Sequence, residues 1–112
     1  MSEAQDVSAL VVLCTCAESA QAEGLARGAV EAGLVACVNV LPGIRSIYRW
    51  HGQVHEDSEV LLIMKTTQPA YPELEAFLLE QHPYETPEVL ALQVAGVEDS
   101  YLAWLTGETA CK

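Results

Sequence analysis

The chain has 112 residues and 51% hydrophobic content, enough for one domain with a core that needs no disulfide or metal staples. Its 16 acidic against 5 basic side chains give a net charge of −11 and exclude the basic footprint that nucleic acids and anionic membranes require. Cationic partners, metal ions among them, stay open, although a solvated acidic surface accounts for the charge equally well.

The first residues, Met1 to Ser8, carry Glu3 and Asp6 and no basic region of the kind that opens a secretory signal. No apolar run reaches the ~18–20 residues a membrane helix needs. The expectation is a cytoplasmic chain whose cysteines, Cys14, Cys16, Cys37 and Cys111, stay reduced. In chain order, VSALVVLC (Val7–Cys14) reads as a strand too apolar to be half exposed. Ala22, Leu25, Ala26, Ala29 and Val30 then share one helical face, with Ser19 or Glu18 to cap the start and Gly33 to end it. LVACVNVL (Leu34–Leu41) is again a buried type of strand. Pro42-Gly43 interrupts it with a bulge or bend, and extended character resumes from Ile44 to Trp50. His51-Gly52 is the turn. Val54 to Thr67 returns, first through the charged run HEDSE (His55–Glu59), then through VLLIM (Val60–Met64). A second helix starts after Gln68-Pro69, takes Pro72 in its first turn, buries Leu74, Phe77 and Leu78, and stops at Pro83. Val89 to Ala95 is the fourth strand, and Glu98 to Leu105 a closing helix with Tyr101, Trp104 and Leu105 on its apolar face.

The order β-α-β-β-α-β predicts an α+β fold of the ferredoxin-like type, a single domain over residues 1–112 with loose ends at 1–7 and 107–112. Right-handed crossovers set two helices on one face of a four-stranded antiparallel sheet and leave the other face uncovered. Leu34 to Trp50, fully extended at ~3.3 Å per residue, spans about 55 Å, whereas a domain of this length is about 35 Å across. The hairpin must therefore bend or protrude. A protruding arm exposes Ile44, Ile47, Tyr48 and Trp50 and calls for self-association; the alternative is a fold-back at Pro42-Gly43.

Chemistry-bearing residues are few. Cys14 and Cys16 stand two apart, on one side of a strand, as two plain buried thiols or as half of a soft-metal site for copper(I) or zinc. His82 precedes Pro83 at the end of a helix, where an imidazole either complements the helix dipole or ligates a metal. His51 and His55 belong to the solvated hairpin tip. Lys65 ends an apolar strand, where it can hold an anion or pair with a carboxylate. HPYETPE (His82–Glu88) is a stiff loop with two prolines, presenting Tyr84, Thr86 and Glu88. No nucleophile elbow, phosphate-binding glycine loop or HExxH motif occurs, so an enzyme is not expected.

VVLCT (Val11–Thr15), ACVNVLPGIRSIYRWHG (Ala36–Gly52), MKTT (Met64–Thr67), HPYETPE (His82–Glu88) and YLAWL (Tyr101–Leu105) together resemble the CutA divalent-cation tolerance family over most of the chain. The resemblance implies a tight homotrimer, similar in architecture to PII-type signalling proteins, that functions in tolerance to copper and other divalent ions without an organic cofactor. It implies copper ligands at Cys14 and His82; Gln81 stands where some members carry a second histidine. By analogy with PII-like proteins alone, a small-molecule cleft between subunits would be lined by Trp50, Lys65, Tyr84, Thr86 and Glu88. A structural adaptor trimer is the further alternative. Its partners would be metal ions and further copies of itself, with no nucleic acid or membrane.

Overall fold

In a computed structural model, which describes residues 8–109, the chain runs β1 (Ala9–Cys16), α1 (Ser19–Glu31), β2 (Cys37–Trp50), β3 (Gln53–Thr67), α2 (Tyr71–Gln81), β4 (Leu90–Gln93), α3 (Asp99–Glu108). The sheet order is β2-β3-β1-β4 and every neighbouring pair is antiparallel, the ferredoxin-like arrangement. Among the described residues no helix is long and apolar enough to cross a membrane.

Strand alternation divides the sheet cleanly. Leu10, Val12, Cys14 and Cys16 of β1 and Val60, Leu62 and Met64 of β3 point to one side and pack under α1 and α2. Burial of Ala22, Leu25, Ala26 and Ala29 follows the helical period, while Val30, the last residue of the expected stripe, is 44% exposed. The two helices approach so closely that a Cβ at Gly28 would lie 2.9 Å from the Phe77 ring. The other side carries Val11 and Leu13 of β1, Leu61 and Ile63 of β3, Leu41 of β2, and Leu90 and Leu92 of β4. Among the described residues no element covers the middle of that side. Only its Ala9–Thr67 end is closed, by Leu105 and Thr109 at the end of α3.

Several boundaries differ from the sequence reading for identifiable reasons. The strand expected from Leu34 starts at Cys37 because Gly33, at φ +74°, and Leu34 close α1: the Gly33 N–H donates to the Val30 carbonyl and the Leu34 N–H to that of Ala29, each at 3.0 Å. β1 extends to Cys16, two residues beyond the expected end, and β4 is shorter than Val89–Ala95. The expected loose C-terminus is corrected at its start. Gly107 and Glu108 belong to α3, and Thr109 is buried, its hydroxyl donating to the Leu105 carbonyl at 3.0 Å. Residues 1–7 and 110–112 lie outside the described residues.

The hairpin protrudes rather than folding back. The molecule measures 49 × 26 × 22 Å with a radius of gyration of 15.0 Å, against about 13 Å for a spherical domain of this size. His51 and Gly52, both at positive φ, form the two-residue turn that suits the twist of paired strands. At Pro42-Gly43 the register slips: Leu41 pairs with Leu61, but Ile44 pairs with Glu59. One extra residue in β2, with Gly43 at φ +81°, is a β-bulge. It switches the alternation of β2. Cys37, Asn39 and Leu41 share the open side of the sheet, and beyond the bulge Ile44, Ser46, Tyr48 and Trp50 take it over, level with Glu59, Asp57, His55 and Gln53.

Candidate functional site

Pro83 shapes the site. A residue before proline is driven out of the α region, and His82 accordingly leaves α2 at φ −80°, ψ 135°. The sequence placed His82 within the last turn; it is instead the extended residue that ends the helix. This conformation turns the imidazole, 6% exposed, onto the end of β1. There Nε2 lies 2.7 Å from the Thr15 carbonyl and 3.8 Å from the Cys16 sulfur. Nδ1 accepts the Tyr84 N–H at 3.1 Å. Because Nδ1 accepts, the ring proton resides on Nε2 and is donated to Thr15, which fixes one neutral tautomer.

Cys14, Cys16 and His82 bring their ligand atoms within 4.8 Å of one another. Both thiols are free and fully buried. Interaction with the Cys16 thiol, then burial, hold the Cys14 thiol well above the ordinary cysteine range, and the same interaction lowers Cys16. The two expected ligands thus meet, and Cys16, read from the sequence with Cys14 as half of a possible soft-metal site, completes a set of two sulfurs and one nitrogen. Such a set suits soft and borderline ions, copper and zinc above calcium or magnesium.

The loop His82–Glu88 then wraps around the end of β1. His82 lies on the helix side of the sheet, while Tyr84 reaches the open side, where its hydroxyl donates to Glu59 at 2.6 Å. Burial, then this hydrogen bond, push the Tyr84 phenol above its usual range. Between loop and hairpin lies a cavity of about 600 Å³, bounded by Thr15, Ser46, Tyr48, Trp50, Glu59, Tyr84, Thr86 and Glu88. Four of the five residues expected to share a cleft, Trp50, Tyr84, Thr86 and Glu88, do line this one. Lys65 does not. It lies six residues along β3 from Glu59, toward α3, in a separate cavity with Ala9, Val11, Val97 and Leu105. Its ammonium donates to Asn39 and lies 4.0 Å from the Cys37 sulfur. His51 and His55 stay at the hairpin tip, where His55 stacks on Tyr48.

Glu59 is the residue that sequence reasoning missed. HEDSE reads as a solvated charge run, yet Glu59 is only 9% exposed. Strand alternation from the half-buried Leu61 puts it on the same side as Thr15, a signal available once the β1–β3 register is known.

Fold and site define a class: a small ferredoxin-like protein with a buried thiol–imidazole cluster beneath a rigid proline loop. The family model for the CutA1 divalent ion tolerance protein matches residues 10–108. The chain is 46% identical over 99 residues to the divalent-cation tolerance protein CutA of Thermus thermophilus, a match covering 88% of this chain and 96% of that protein. It is also 46% identical over 91 residues to human protein CutA, covering 81% of this chain and 51% of the human one. Among solved structures, the Cut A1 protein of Thermus thermophilus superposes with a TM-score of 0.89 at 45% identity, covering 91% of this chain and 99% of that one. CutA1 from Oryza sativa does so with a TM-score of 0.88 at 39% identity, covering 92% and 94%. The chain belongs to the CutA1 divalent ion tolerance family.

Proposed function

We propose that this protein acts in divalent-cation tolerance as a self-associating metal-binding protein, a homotrimer that takes copper, and other divalent ions less well, at Cys14, Cys16 and His82, without an organic cofactor and without catalytic turnover. The carrying observation is the convergence of two thiols and an imidazole within 4.8 Å. The donors fit a soft ion, but His82 is committed elsewhere. Ligation through Nε2 requires its proton to pass to Nδ1, which ends the bond to the Thr15 carbonyl and takes the acceptor from the Tyr84 N–H, and the two thiols must ionise to ligate. Metal uptake is therefore coupled to proton release and to a shift of the His82–Glu88 loop. Self-association is supported by the open side of the sheet, where Leu90 and Leu92 on one edge strand are 54% and 50% exposed, Leu41 on the opposite edge is 40% exposed, and Val11, Leu13, Leu61 and Ile63 lie between them; an apolar surface of this kind marks an interface.

Calorimetric titration with copper tests the site. Near-stoichiometric binding with proton release is expected, and a sharp loss of affinity in Cys14→Ala. Unchanged binding in that variant removes the cluster from consideration.

A further inference from the structure

The cavity on the open side has a chemistry of its own, which does not rest on the metal reading. Glu59 is nine-tenths buried, the Tyr84 hydroxyl is its hydrogen-bond partner, and among the described residues no lysine or arginine pairs with it. A buried carboxylate without a counter-charge is costly unless something cationic completes it. The other charged groups around the cavity, Glu85 and Glu88, are also acidic. Such a lining repels the anions that Lys65 would have attracted. The remaining walls are three aromatic rings together with Thr15, Ser46, Ile47 and Thr86. Tyr48 and Tyr84 stand near Glu59, and Trp50 lies further out, at the last β2 position before the turn. Carboxylate plus aromatic faces is the donor set that selects an organic cation over a hydrated metal ion. A volume of about 600 Å³ falls within the range of small-molecule sites. From Ile44, level with Glu59, to Trp50 is six residues of strand, about 20 Å, so the cavity is elongated, polar at one end and more apolar at the other.

We propose that this cavity binds an alkylammonium compound, its cationic head at Glu59 between Tyr48 and Tyr84 and its apolar stem directed toward Trp50. Calorimetric titration of the full chain with methylammonium and hexylammonium chloride tests this, with 1-hexanol as the neutral analogue and magnesium chloride as the inorganic arm. Hexylammonium should bind saturably, more tightly than methylammonium, and at least about tenfold more tightly than hexanol, as befits an interaction with a charged group. Glu59→Gln should bring hexylammonium down to the level of hexanol. Should that variant not fold, Tyr48→Leu, at an exposed position, still decides: it removes a ring from the cationic head and should weaken both amines several-fold while leaving hexanol almost unchanged. No saturable binding of either amine overturns the proposal, including the case where an arginine or lysine of a second copy fills the cavity. So do equal affinity for hexanol, displacement of the amines by equimolar magnesium, or amine binding indifferent to Tyr48→Leu.

Discussion

His82 shows how one backbone preference decides a side chain's chemistry. Pro83 denies its predecessor the helix, the predecessor turns inward, and both ring nitrogens find partners at 2.7 and 3.1 Å. Replacing it with alanine leaves the Thr15 carbonyl and the Tyr84 N–H unpaired at a buried position; urea denaturation should register a loss of about 2–4 kcal/mol. Glu98 makes a comparable point at the surface. Its carboxylate accepts from the Ser100 N–H at 3.1 Å and the Tyr101 N–H at 2.9 Å, capping α3. The Ser100 hydroxyl, then these two amides, hold its carboxyl below the usual glutamate range. A depressed carboxylate stabilises the fold above its unfolded pKa and loses that contribution as pH falls through the folded one. Acidification below the ordinary glutamate range should therefore loosen α3, read by Trp104 fluorescence, and Glu98→Gln should flatten that response. At this scale the sequence was only partly legible. Cys14 and His82 came from a family resemblance and Cys16 from its spacing. Glu59 was hidden because its burial depends on a loop 25 residues away in sequence.

Elements were more legible than their ends, because period and alternation are written in every residue, whereas boundaries depend on single hydrogen bonds. The helix over Ala22–Val30, the His51-Gly52 turn and the bulge at Pro42-Gly43 all followed from local patterns. Gly33 was placed as a stop, but its Schellman closure, which takes Leu34 out of β2, was not foreseen. Two glycines in α1 separate propensity from packing. Nothing lies within 4 Å of a Cβ at Gly24, while one at Gly28 meets Phe77 at 2.9 Å. Gly24→Ala should raise stability by about 0.5–1 kcal/mol. Gly28→Ala should gain less or lose, because the Phe77 ring has to move. Thermal denaturation of the two variants side by side checks the difference.

For the molecule as a whole, the elongated shape and the uncovered apolar side of the sheet point the same way. Sedimentation equilibrium at micromolar concentration should give a mass well above the 12.1 kDa of one chain, three times that value on the proposed trimer. Leu92→Glu, which puts a charge on the β4 edge of the open side, should shift the population toward monomer without unfolding it, since Leu92 is half exposed in the single chain. A monomer mass for the parent protein would refute the assembly. The bulge has a bearing on how such an arm tolerates change in length. Removing one residue from each strand near the tip shortens the arm and keeps its two sides as they are. Losing one residue at Pro42-Gly43 alone removes the bulge but keeps Ile44 opposite Glu59, so Ser46, Tyr48 and Trp50 hold their side. A single deletion further out along β2, by contrast, turns over the stretch between itself and the bulge.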